Sequence, residues 1–218
     1  MVSVPQSYKE IQVSASILFL TLHCDVAAEV LAAGSIPTFG DLIARDGLVR
    51  LGVDRFNSLR AARRLPRPWA GTIAEFVALD LTPCTRAAFG SVSGQPGAAK
   101  VERQDIVSLC ISHDALRSLG QPIIYTDRLC TRDDARFSGD RDILSEAAWP
   151  RIRRRDFKPD ATDPGAVHKY DAAVLAWGAV PGTVVEAVVC KDVAAADSLR
   201  ERCPKLRAEA LVRPDLLW

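Results

Sequence analysis

YDAAVLAWGAVPGTVVEAVVC, residues 170–190, holds two apolar runs separated by a glycine and a Pro-Gly pair. Each run is strand length, and each is too short and too rich in Val and Ala to read as a solvent-facing helix. Tyr170–Trp177 and Thr183–Cys190 are therefore predicted as successive strands with no helix between them in the chain. A helix at Val193–Arg202 and a third strand-like run, Leu206–Val212, follow. Strands that gather at one end of the chain without strict β-α alternation argue α+β and not a doubly wound sheet.

Working toward the N-terminus, Ser16–Leu22 (SILFLTL) reads as a buried strand. A helix follows it, with Asp25 as N-cap, Val26, Val30 and Leu31 at helical spacing, and Gly34 placed as a left-handed C-cap. A second helix is predicted from Asp54 to Arg64, stopped by Pro66 and Pro68. Thr72–Leu81 reads as a strand and Gly90–Ala99 as a loop. Asp105–Ile111 and Pro122–Thr126 read as strands on either side of a short helix, Asp114–Leu119. Arg132–Lys158 is dense in charge, with one helix expected at Asp142–Ala148. The first residues, 1–13, are polar and expected to be loose. No repeat or long linker divides the chain, so residues 1–218 are expected to form one domain.

The 218 residues are 48% hydrophobic and 25% charged, which excludes a disordered chain. Lys+Arg is 28 against Asp+Glu 27, so net charge is +1 and polyanion binding must come from local clusters. Cys24, Cys84, Cys110, Cys130, Cys190 and Cys203 show no zinc-knuckle spacing and are expected to be reduced thiols in a cytoplasmic protein. The apolar segment at residues 14–22 is too short to span a bilayer. A P-loop, GxGxxG, GxSxG and HExxH are all absent.

Candidate chemistry is sparse. His23 sits at a strand-to-helix junction, where backbone N–H groups are exposed and side chains border clefts; by position alone it reads as a surface histidine. His113 and His168 read as surface residues. Glu186, Glu75 and Asp80 are acids within apolar strands, each either outward-facing or buried with a raised pKa. Arginines concentrate twice: Arg55, Arg60, Arg63 and Arg64 in the second helix, and Arg151, Arg153, Arg154, Arg155 and Lys158 with Trp149 and Phe157 interleaved. Guanidinium groups bind phosphates, and aromatic rings stack unpaired bases.

Four stretches, in order, resemble the DarT-type DNA ADP-ribosyltransferase toxins of bacterial DarT–DarG toxin–antitoxin systems. FLTLHCDVAAEVLAAG, residues 19–34, resembles the family's opening strand, His-x-Thr turn and helix; either His23-Cys24-Asp25 is the His-x-Thr equivalent or His23 is a second, downstream histidine, and in both cases the threonine is missing. RFNSLRAARRLP, residues 55–66, is similar to the arginine-rich helix, and Arg60 falls at the arginine that takes part in catalysis, with Arg63 and Arg64 as the nearby alternatives. AEFVALDLTPCTRAAFG, residues 74–90, keeps Glu75-Phe76, Pro83 and Phe89, but Leu79-Asp80-Leu81 replaces an aromatic core. AAVLAWGAVPGTVVEAVVC, residues 172–190, with RPDLLW at 213–218, is similar to the stretch bearing the catalytic glutamate, whose place is taken by Ala173.

The resemblance implies an ADP-ribosyltransferase-like fold, a central mixed or antiparallel split β-sheet flanked by helices. It implies transfer of ADP-ribose from NAD to a guanine or thymine of single-stranded DNA, with no metal. Ala173 and Arg60 then mark the catalytic positions, His23, Cys24, Asp25 and Arg60 bind NAD, and Arg63, Arg64, Arg153, Arg154 and Arg155 bind DNA. A cognate antitoxin that reverses or blocks the modification is the expected partner, with no membrane association. An alanine at 173 predicts a nearly inactive chain that still binds NAD. Either the glutamate was replaced deliberately, or the chain is a natural non-catalytic binder of nucleotide or DNA.

Overall fold

The computed structural model describes residues 15–204 and 206–217; the expected loose segment at 1–13 lies outside them. Ile17–His23 forms β1, which runs directly into α1, Cys24–Ala33. His23, not Asp25, is the N-cap: its Nδ1 accepts the Asp25 N–H at 3.3 Å, and Asp25 sits in the first turn. Gly34 closes the helix at φ 68°, as its position predicts. Next come the two-residue β2 (Ser35–Ile36), α2 (Phe39–Ala44), α3 (Asp54–Ala62) and β3 (Phe76–Asp80). The helix predicted to Arg64 stops at Ala62, and the strand predicted from Thr72 begins as a 3-10 turn, Ile73–Glu75. Thr72 and Glu75 form a reciprocal capping box there, which uses Glu75 as a structural acid.

Helix α4, Arg86–Ser93, takes up the first four residues of the region expected to be a loop. β4 (Ile106–Ser112), α5 (His113–Ser118), β5 (Ile123–Thr126), the short β6 (Phe137–Ser138) and α6 (Trp149–Arg154) follow. Arg141–Glu146 is a 3-10 helix where an α-helix was expected. Helix α7, Ala166–Tyr170, takes the start of the run predicted as strand, so β7 spans only Ala173–Trp177. Then come β8 (Val180–Pro181), β9 (Val185–Cys190), α8 (Val193–Arg202) and β10 (Glu209–Val212).

Eight strands form one sheet in the order β10-β9-β4-β1-β3-β7-β5-β6. All neighbours are antiparallel except β10 and β9, which are parallel across the α8 crossover. β4 is buried at six of its seven residues because both faces of the sheet are covered at its centre. The larger cluster joins α1, α8 and one face; smaller clusters around Phe19 and around Phe76 cover the other.

β1 and β4 pair along seven residues, from Ile17↔Ser112 to His23↔Ile106. Between β1 and β3 the register is confined to Phe19↔Asp80. From that vertex the two halves of the sheet diverge toward His23, and the wedge between them is the split.

Candidate active site in the split of the sheet

A cleft opens in the wedge. Leu20, Thr21, Leu22 and His23 of β1 line one wall, and Ala78 and Asp80 of β3 line the other. Segment 39–60 covers its mouth through Phe39, Leu42, Arg50, Asn57 and Arg60. The cleft is mostly apolar with a few convergent polar groups, the usual make-up of a small-molecule site.

His23 is 9% exposed, so the sequence-based reading of a surface histidine is corrected: capping α1 turns its ring inward. Burial lowers its pKa, opposed by Asp105 and assisted by Arg202. Since Nδ1 accepts a hydrogen bond, this assigns the ring proton to Nε2 and leaves a neutral donor at the cleft wall. Cys24 is buried and lies 3.4 Å from Arg202 Nη1, while exposed Asp25 pairs with Arg202. Neither lines the cleft. Ligand atoms of His23, Cys24 and Asp25 fall within 4.8 Å of one another. The ring nitrogen there caps the helix and the carboxylate holds Arg202, so both are already committed to protein partners.

Arg60, on the last turn of α3, reaches into the cleft. Its guanidinium lies 5.1 Å over the Phe39 ring and 4.0 Å from the Asp80 carboxylate, with Nε buried and unpartnered among the described residues. Asp80 is 25% exposed, and burial raises its pKa against the pull of Arg60. Its cross-strand partner in β7 is Ala173, fully buried. The Ala173 N–H donates to Thr126 Oγ1 at 2.9 Å, which extends the β5–β7 ladder by a side chain. Asp171, two residues before Ala173, pairs with Arg86 at 2.7 Å. Burial holds the Asp171 carboxyl up at about 6, opposed by Arg86 and reinforced by Asp80. Positions 60, 80 and 173 thus meet at the vertex of the split.

The other arginines lie elsewhere. Arg63 is tied to the 132–133 loop, by a 3.2 Å bond to the Arg132 carbonyl and by Asp133 at 3.6 Å. Arg64 is exposed. Arg151 is spent on structure, donating to the carbonyls of Asp156 and Lys158. Arg153 sits 5.9 Å over Trp149 and, with Arg141, borders a second hollow beside Ala15. Arg154 and Arg155 are exposed; Arg155 ends α6 at φ 55°. None of these six lines the cleft.

His113 is fully buried, not a surface residue: Ser112 caps α5, and the ring bonds Tyr125 Oη at 2.8 Å. His168 is half-buried in α7, with Nδ1 enclosed and unpartnered among the described residues. Glu186 is partly buried, and desolvation raises its pKa. Sequence reasoning gave no signal for Phe39, whose ring lies against the Arg60 guanidinium, or for the Arg86–Asp171 ion pair, which does not line the cleft.

A model of the family described as "ssDNA thymidine ADP-ribosyltransferase, DarT" matches residues 43–217. A "DNA ADP-ribosyl transferase" of Escherichia coli O127:H6 is 23% identical over 149 residues, 68% of each chain. Among solved structures, Thermus sp. 2.9 DarT in complex with ADP-ribosylated ssDNA superposes with TM-score 0.81 at 19% identity, covering 93% of this chain and 96% of that one. The same protein in complex with NAD+ gives 0.77 at 19% identity over 99% and 100%. Thermosipho africanus DarTG in complex with ADP-ribose gives 0.71 at 14% identity, over 92% of this chain and 50% of that one. The fold is that of these proteins, and with a family match across most of its length the chain belongs to the DarT-type DNA ADP-ribosyltransferases.

Proposed function

We propose that this chain binds NAD in the split of the sheet and transfers its ADP-ribose to a base of single-stranded DNA, thymine or guanine. The observation that carries this reading is the convergence of His23, Arg60 and Asp80 on one cleft. Solved relatives carry NAD+ or ADP-ribosylated ssDNA, which supports the same ligands here.

Transfer begins with the bond between ribose C1′ and the nicotinamide nitrogen. That bond breaks with its electron pair going to nicotinamide, which leaves neutral, and C1′ becomes oxocarbenium-like. A base nitrogen bonds C1′ and its proton passes to water. The protein must supply negative charge near C1′, donors to the ribose and pyrophosphate, and a contact that aligns the base. His23 Nε2–H serves as a donor to NAD; Cys24 and Asp25 shape the turn that presents it. Arg60, fully charged, aligns the acceptor base or balances developing charge. The base must be unstacked to reach C1′, which favours single strands. Arg63, Arg64, Arg153, Arg154 and Arg155 contact the phosphates on either side.

The six cysteines are free thiols, in keeping with a reducing cytoplasm, and no helix among the described residues is long and apolar enough to cross a membrane. Residues 1–218 act as one domain, and the partner is an antitoxin that reverses or blocks the modification. Were no other carboxylate to face ribose C1′, Ala173 would leave a chain that binds NAD and turns it over far more slowly than its Ala173→Glu form.

Mass spectrometry of oligonucleotides after incubation with NAD tests the reading. Thymine-only and guanine-only strands are offered to both the Ala173 and Ala173→Glu proteins. One added ADP-ribosyl group on either strand supports transfer and names the base; no adduct with either protein removes the reading.

A further inference from the structure

Among the described residues that line the cleft, Asp80 is the sole carboxylate. It stands at the vertex of the split, opposite Phe19 of β1 on one side and Ala173 of β7 on the other. Directly paired antiparallel residues project from the same face, with Cβ atoms about 5 Å apart. A carboxylate on residue 80 therefore occupies the neighbourhood that a longer acidic side chain on residue 173 would reach. The fully buried alanine leaves that neighbourhood to Asp80.

The oxygens of Asp80 are also available. Arg60 at 4.0 Å is a counter-ion beyond hydrogen-bond range, and no hydrogen bond to the Asp80 carboxylate occurs among the described residues. The nearby acid Asp171 differs on both counts: Arg86 occupies it at 2.7 Å, and it does not line the cleft.

We infer that Asp80, on β3, supplies the carboxylate that faces ribose C1′ in this chain, so that the negative charge has moved across one strand from position 173. The inference rests on the transferase reading. Asp80 stays ionised through the step, forms no bond to the sugar, and acts by opposing the positive charge that develops as nicotinamide leaves. Ala173 is then part of a rearranged site and not a disabling loss. A glutamate added at 173 puts a second anion beside the first and gives no large gain.

Four proteins decide it: the chain itself, Asp80→Asn, Ala173→Glu, and the Asp80→Ala/Ala173→Glu exchange. Nicotinamide release and oligonucleotide modification give turnover, and calorimetric titration gives NAD affinity. The chain itself is expected to turn over. Asp80→Asn is expected to lose about a hundredfold or more, the usual scale for removing one electrostatic contact to a transition state, with NAD affinity within a few fold. The exchange variant is expected to work because it returns the charge to β7; it also serves if Asp80→Asn fails to fold. Turnover by Asp80→Asn equal to the parent overturns the inference. So does a silent parent beside an active Ala173→Glu, since the charge must then stand on β7. Silence of all four, Ala173→Glu included, removes the transferase reading itself.

Discussion

Arg60 is held by an aromatic ring on one side and a carboxylate on the other, with its Nε facing no protein partner among the described residues. A guanidinium so enclosed keeps its charge and offers a planar fork, which lysine does not reproduce. Arg60→Ala is expected to lower turnover by at least about a hundredfold. Arg60→Lys should recover little of that, and oligonucleotide modification against time measures both. Unchanged turnover in the alanine variant would move the role to Arg63 or Arg64. Arg60 was legible because it falls on the face of α3 that a motif marks. His23 was legible as a position but not as an environment, since nothing local says that a helix cap turns its ring into a cleft. Asp80 was ambiguous for a deeper reason. In VALDL both alternating sets are apolar apart from one acid, so the face that meets the cleft depends on β1 and β7, 61 and 93 residues away by the pairs Phe19↔Asp80 and Asp80↔Ala173.

Among the elements, those with strong local punctuation were readable and those set by packing were not. Strand β1, helix α1 and its Gly34 cap follow from an apolar run, a junction and a glycine. Helix α8 was placed at its observed bounds because Asp192 caps it, accepting from the Ala195 N–H at 2.9 Å. Nothing in the sequence reading marks helix α4. Its Gly90, Ser91 and Ser93 are weak helix formers, and packing of Ala88 against Val101 and Ile106 overrides them. The start of β7 was set too early because Tyr170 ends a helix, where its hydroxyl donates to the Cys84 carbonyl at 2.8 Å. The small β2–β8 pair tests how tightly such elements are seated. Gly182 N–H donates to the Gly34 carbonyl at 2.8 Å, and a Cβ on Gly182 would stand 3.0 Å from the Gly34 carbonyl carbon. Backbone cannot yield as a side chain does, so Gly182→Ala is expected to cost about 1–3 kcal/mol. Gly34→Ala meets no atom within 4 Å and carries only the left-handed backbone penalty, about 1–2 kcal/mol. Urea unfolding of both variants checks the pair; a stable Gly182→Ala would mean that β8 slides freely on β2.

At the scale of the whole molecule, strand order was beyond the sequence. Adjacent runs in the chain are mostly not neighbours in β10-β9-β4-β1-β3-β7-β5-β6, and only packing of distant segments makes the split. The same distant packing buries two titratable groups with opposite effects on stability. His113 is held down to about 4 by burial, with Arg141 and Arg117 lowering it further, Asp114 opposing and Tyr125 bonded to the ring. Its ordinary value is 6.5, so as pH falls below that the unfolded chain takes a proton the folded chain refuses until about 4. Stability drops across that window as pH falls. Asp171 is held up at about 6 against an ordinary 3.8 by burial, with Arg86 and Arg60 opposing and Asp80 reinforcing. As pH rises from 3.8 the unfolded chain releases a proton that the folded chain keeps until about 6, so this contribution is present at low pH and lost on the way up. Between about 4 and 6 the two slopes oppose each other, and these two groups together should leave stability nearly level. Asp171→Asn removes one of them, and its unfolding free energy should then fall as pH drops from 6.5 toward 4. His113→Gln removes the other, and its stability should rise as pH drops from 6 toward 4. Urea unfolding of the three proteins across that range is the measurement; identical slopes in all three would show that neither group is buried as the fold places it.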